Sequence, residues 1–208
     1  MKALILVDVQ NDFLPGGALA VPDGDKIIPV VNELLPRFPI SVATQDWHPA
    51  NHGSFAANHP GKKNFERIDL NGLPQTLWPV HCVQDTPGAE LSPGLQRKRI
   101  DKIFPKGTVA GIDSYSGLFD NGHRQSTGLG EWLAAKGVTE VFVCGLATDY
   151  CVKFTALDAA HASFKTYFIA DASRGVNLQP DDVKNAIAEM NRAGIATVQS
   201  KDILNHHE

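Results

Sequence analysis

Glu140-Val141-Phe142-Val143-Cys144 leads directly into Gly145-Leu146-Ala147-Thr148-Asp149-Tyr150-Cys151, and that stretch into Val152-Lys153-Phe154-Thr155-Ala156. The first segment is rich in β-branched and aromatic residues and closed by a glycine, which predicts a short buried strand. Beyond it, Val152, Thr155, Ala156, Ala159 and Ala160 recur on one face of a helix. Cys151 therefore falls in the first turn of a helix entered from a strand end. There the helix dipole and free backbone N–H groups favour an anion and lower a thiol from its ordinary pKa of about 8.5. A small cysteine buried in a core fits the same position, so its partners must decide between the two.

Working outward, the same alternation recurs. Lys2 to Asp8 is apolar almost throughout, as a strand covered on both faces is. Asp25 to Phe38 carries a helical apolar face, with Pro29 tolerable only in its first turn. Further strands are expected at Ile40 to Thr44, Ile100 to Phe104, Lys165 to Ala170 and Ile195 to Val198, the last followed by a short tail. Helices are expected at Leu129 to Lys136, closed by Gly137, and at Pro180 to Ala193, stopped by Gly194. Strands alternating with helices predict βαβ units, hence an α/β fold built on a parallel sheet. Neither a repeat nor a linker divides the 208 residues, so a single domain over 1–208 is expected.

With 19 basic against 23 acidic residues and no basic stripe, the chain is not expected to bind nucleic acid or an anionic membrane. No apolar run approaches the roughly 18 residues that span a bilayer. Cys82, Cys144 and Cys151 form no CxxC pair and leave an odd number, which points to a reducing compartment, the cytoplasm, and to small-molecule chemistry.

In open α/β sheets ligands bind beyond the carboxyl ends of the strands. Asp8 closes the first strand, Asp46 and His48 follow the second, Lys106 the third and Cys151 the fourth. A carboxylate that takes the thiol proton, an ammonium that stabilises the thiolate and a cysteine that attacks a carbonyl carbon form a coherent set. Asp46-Trp47-His48 is a second signal, because residues i and i+2 of an extended segment point the same way and can face one metal ion. His81, from the long irregular region that runs to about Gln96, is the natural third ligand. His52 and His59 have weaker spacing. So long a region without periodicity is uncommon unless it builds a site.

Val7-Asp8-Val9-Gln10-Asn11-Asp12-Phe13, Gln45-Asp46-Trp47-His48-Pro49, Trp78-Pro79-Val80-His81-Cys82, Phe104-Pro105-Lys106-Gly107 and Gly145 to Val152 together resemble the nicotinamidases (pyrazinamidases) of the isochorismatase-like hydrolase superfamily, essentially end to end. The resemblance implies a three-layer α/β/α fold on a six-stranded, mainly parallel sheet. It also implies a triad of Asp8, Lys106 and Cys151, and one divalent metal on Asp46, His48 and His81: zinc first, with iron or manganese as alternatives. A cis Leu146–Ala147 bond, an oxyanion hole from the N–H groups of Ala147 and Cys151, and Phe13 and Trp78 flanking the substrate ring follow from the same likeness. The substrate it implies is nicotinamide, with hydrolysis serving NAD salvage; a homo-oligomer is compatible with it. His52 lies near a further ligand position of some members but does not match its spacing. Three alternatives stay open at this level: attack by a metal-activated water, a non-catalytic metabolite binder, and an amidase for another small amide.

Overall fold

A computed structural model describes residues 1–205. Its elements in chain order are β1 (Lys2–Val7), α1 (Ile27–Leu34), β2 (Ile40–Asp46), β3 (Arg67–Leu70), β4 (Leu73–Thr76), β5 (Lys102–Lys106), α2 (Leu129–Ala135), β6 (Glu140–Leu146), α3 (Lys153–His161), β7 (Lys165–Arg174), α4 (Asp182–Arg192), β8 (Ala196–Val198) and α5 (Ser200–Leu204). Six strands form one sheet in the order β5-β2-β1-β6-β7-β8, and every pairing in it is parallel.

The two faces of the sheet can be read from β1. Leu4 and Leu6 pack with Ile27, Val31 and Leu34 of α1, whereas Ala3, Ile5 and Val7 pack with Leu129 and Leu133 of α2, Ala156 and Ala159 of α3 and Met190 of α4. Side chains alternate across a strand, so a strand buried on both faces must be apolar at every position, and β1 is. The result is the expected α/β/α sandwich.

Where the chain leaves β1 for β2 it moves one way across the sheet, and from β6 onward it moves the other way. The switch point lies between the carboxyl ends of β1 and β6, the usual seat of a ligand in such sheets. Gly145 is required there: its φ is +123°, and a Cβ would lie 2.1 Å from the carbonyl oxygen of Val7.

Several boundaries differ from the sequence expectation. The strand expected at Ile100 to Phe104 lies at Lys102–Lys106, and α1 is shorter than Asp25 to Phe38 because both its ends tighten into 3₁₀ turns. The supposedly irregular region contains the antiparallel hairpin β3–β4, and the tail after β8 folds as α5. Gly137 and Gly194, at φ +74° and +84°, end α2 and α4 as expected.

Candidate active site

Four strand ends deliver the site. Asp8 follows β1 in a left-handed conformation (φ 50°) that aspartate tolerates, Asp46 ends β2, Lys106 ends β5 and the Cys151 segment follows β6. The Leu146–Ala147 peptide is cis. Thr148–Val152 then forms a π-helical turn before α3, a local widening common at functional sites.

Lys106 sits at the centre, its side chain wholly removed from solvent. Its ammonium donates to Asp46 Oδ1 at 2.6 Å, to the Ser114 carbonyl at 2.8 Å and to Cys151 Sγ at 3.4 Å. It also forms an ion pair with Asp8 Oδ2 at 2.9 Å. Asp8 Oδ1 accepts from Thr44 Oγ1 at 2.6 Å, whereas Oδ2 has no aligned donor among the described residues. A buried acceptor with an unspent lone pair, beside a thiol, is where a thiol proton can go.

Burial is the largest influence on both members of that pair. It raises Asp8 to about 6, against the opposing charge of Lys106. It also pushes the Cys151 thiol well above its ordinary value, with Lys106 again opposing. The lowered thiol expected from the helix start is therefore corrected: desolvation disfavours the thiolate more than the local dipole favours it. Burial thus favours the neutral thiol over the thiolate.

The second cluster adjoins the first. Asp46 Oδ2, the oxygen not taken by Lys106, lies 3.6 Å from His48 Nε2 and 3.9 Å from His81 Nε2. The other ring nitrogens are held by backbone carbonyls, His48 Nδ1 by Gly107 at 2.8 Å and His81 Nδ1 by Pro79 at 2.7 Å. Anchoring Nδ1 on a carbonyl is how proteins fix the tautomer of a histidine that ligates through Nε2. Burial lowers His81 to about 4, leaving it neutral, and the Lys106 and His48 charges hold Asp46 well below the usual carboxylate range despite its burial. One carboxylate oxygen and two free Nε2 atoms within 4.8 Å of one another fit a divalent ion. His48 is raised by Asp46 against its burial, so the same place attracts positive charge.

His52 is buried but does not join that trio. Its Nδ1 contacts Ser54 Oγ at 2.7 Å and its Nε2 faces the Ile112 carbonyl at 3.3 Å, and its ring packs 4.3 Å from that of His48. With His48 and Asp113 it forms a separate cluster. His59 bonds the Gly53 carbonyl at 2.7 Å and supports the loop.

Phe13, Trp78, Ala147, Cys151, Asp46, His48 and His81 all line one small pocket. Residues that sequence reasoning missed also line it: Asp113 and Tyr115 from the loop after β5, Tyr150, and Val176 from the loop after β7. The Tyr115 hydroxyl receives Trp78 Nε1 and Gln75 Nε2, each at 3.2 Å. Gln75 belongs to the unforeseen hairpin and also bonds Asp113 Oδ2 at 2.9 Å. Among the described residues no helix is long and apolar enough to cross a membrane.

Comparison with known proteins identifies the family and the fold. Residues 2–202 match the isochorismatase domain family. The chain is 53% identical over 197 residues to the nicotinamidase of Escherichia coli (strain K12), covering 93% of this chain and 92% of that one. A solved nicotinamidase–pyrazinamidase of Acinetobacter baumannii superposes with a TM-score of 0.94 at 48% identity, covering 97% of both chains. A pyrazinamidase of Pyrococcus horikoshii solved in complex with zinc superposes at 0.78 with 42% identity, covering 95% of this chain and 98% of that one. A parallel sheet that brings a buried Asp-Lys-Cys set beside an Asp-His-His trio, together with these likenesses, places the chain in the isochorismatase family of hydrolases, among its nicotinamidases.

Proposed function

We propose that this enzyme hydrolyses nicotinamide, and pyrazinamide with it, to the acid and ammonia through a thioester on Cys151. The observation that carries the proposal is the convergence of Asp8, Asp46 and Cys151 on the one ammonium of Lys106. It joins a nucleophile and its base to a centre able to hold a ring.

Asp8 Oδ2 takes the proton from Cys151 as Sγ attacks the carboxamide carbon, and Lys106 stabilises the thiolate character that develops. The N–H groups of Ala147 and Cys151 receive the oxyanion; the loss of one such donor typically raises a barrier by about 3 kcal/mol. Asp8 returns its proton to the amide nitrogen, the C–N bond breaks and ammonia leaves. Asp8 then deprotonates a water that attacks the thioester, the C–S bond breaks, and the proton restores the thiol. Phe13 and Trp78 flank the ring. A divalent ion held by Asp46, His48 and His81, zinc first and iron or manganese as alternatives, would supply a Lewis-acid anchor for the ring nitrogen. A zinc-bound pyrazinamidase among the relatives supports that part. Release of nicotinate in the cytoplasm would serve NAD salvage.

The test is ammonia release from nicotinamide by the purified protein, by chelator-stripped protein and by Cys151→Ala. Activity lost in both altered samples, and returned to the stripped one by a divalent metal, is expected. Activity that survives in Cys151→Ala would transfer the attack to a metal-held water and overturn the covalent route.

A further inference from the structure

The pocket beside Cys151 is narrow, about 30 Å³, and opens outward. So narrow a space fits a planar ring only closely, and the position of each wall therefore matters to what can enter. Outside it lies an open cleft of about 730 Å³ that shares Tyr115 and Tyr150 with the pocket. The segment 175–179, which joins β7 to α4, borders both spaces. Val176 lines the pocket, while Leu178 and Gln179 line the cleft.

What secures this segment is Asp149, two residues before the nucleophile. Residues i and i+2 of a helical turn do not share a face, so Asp149 is turned away from the thiol. Its two oxygens are divided between consecutive backbone amides: Oδ1 accepts Val176 N–H at 2.9 Å and Oδ2 accepts Asn177 N–H at 2.7 Å. Asp149 is only 6% exposed, and charge-assisted bonds of this kind are roughly twice as strong as neutral ones. Within the segment, Asn177 Oδ1 accepts Val183 N–H at 3.1 Å and Asp182 Oδ2 accepts Gln179 N–H at 2.8 Å, which ties it to α4 rather than to the site. Gly175 leaves no slack, since a Cβ there would lie 2.0 Å from Val183 Cγ2 and 3.0 Å from Asp149 Oδ1.

We propose that Asp149 is a positioning residue: by docking Val176 and Asn177 it fixes one wall of the Cys151 pocket and thereby sets its fit to a planar aromatic amide. This rests on the nicotinamidase reading for its substrate, but the wall can be tested without substrate. The same turn thus serves two tasks, presenting the thiol on one side and fastening the wall over it on the other.

The experiment compares metal-loaded wild type, Asp149→Asn and Gly175→Ala. Asn keeps one acceptor but turns an N–H donor toward a backbone N–H. The added methyl of Gly175→Ala displaces the segment without altering charge near the thiol, and this variant stands in if the first does not fold. Each is assayed for nicotinamide KM and kcat, for the rate at which iodoacetamide alkylates Cys151 (followed by peptide mapping), and for metal content. The expected result is a KM raised about tenfold, the scale of one lost charged hydrogen bond, with kcat little changed, faster alkylation of Cys151 and unaltered metal content. A variant that had only lost stability would lose active fraction, lowering apparent kcat with KM unmoved. Unchanged KM and alkylation in a folded variant, or a fall in kcat alone, would overturn the proposal. Should wild type release no ammonia, the functional reading fails, and the alkylation rates still decide the role of Asp149.

Discussion

Asp46 and Lys106 form an ion pair of 2.6 Å with both side chains buried, and it joins the two halves of the site. Asp46 gives one oxygen to the ammonium that faces the thiol and turns the other toward His48 and His81. Events at the nucleophile and at the candidate metal centre are thus separated by a single carboxylate.

Removing Lys106 should therefore damage both. Lys106→Ala leaves Asp8 and Asp46 buried without their cation, and breaking a buried pair by deleting one partner typically costs about 3–5 kcal/mol. The expected outcome is a fall in the urea unfolding midpoint together with loss of amidase activity. An unchanged midpoint would mean that the ammonium is dispensable to the fold.

Asp8 sets a pH dependence. Its carboxyl is raised by burial to about 6, and only the ionised form can accept the thiol proton, so kcat/KM should rise as pH increases through about 6. Stability runs the other way. Because the folded value exceeds the unfolded one, this group favours folding at pH below its unfolded value, and that contribution is lost as pH rises through about 6. A pH–rate profile alongside pH-dependent melting reads both. A flat acid limb down to about pH 4, near the ordinary aspartate value, would remove Asp8 as the base.

Thr44→Val tests the support of that base. The hydroxyl donates to Asp8 Oδ1 at 2.6 Å and lowers its pKa, and valine nearly preserves the shape. The acid limb of kcat/KM should move to higher pH, with activity at neutral pH reduced on the order of tenfold for a lost bond to a charged group. Unmoved limbs would show that Thr44 only packs.

Gly107→Ala should weaken metal binding without removing a ligand. Gly107 is at φ +61°, and a Cβ there would lie 2.4 Å from His48 Cε1, while its carbonyl holds His48 Nδ1. Loss of such outer support usually costs about 10–100-fold in metal affinity. Competition for zinc against a chromophoric chelator measures this directly, and equal affinity would mean that the ring orientation does not depend on Gly107.

Much of this architecture could be read from residues alone because the signals were local. The apolar runs of β1 and β6 marked a sheet covered on both faces; Asp8 stands just past β1, Asp46 and Lys106 end β2 and β5, and Cys151 lies in the turn that follows β6. The hairpin was overlooked although Asn71-Gly72 between Leu70 and Leu73 marks a two-residue turn; both adopt positive φ, 52° and 86°. Its strands are four residues each, too short to show alternation in a region crowded with proline and glycine. Thr44, Asp113, Tyr115 and Val176 carried no motif, since their roles depend on which distant segment faces them. The direction of the Cys151 pKa was missed for the same reason: a helix start is local, whereas burial is a property of the finished fold.

The pairing of β1 with β6 has a consequence for synthesis. Asp8 directly follows β1, and the thiol it faces is delivered only when β6, more than a hundred residues later, docks beside that strand. A nascent chain therefore carries Asp8, Asp46, His48, His81 and Lys106 before Cys151 is held in place. Under the proposed thioester route, hydrolytic competence arrives only with the closing of the sheet at its centre, and a fragment that stops short of β6 lacks it.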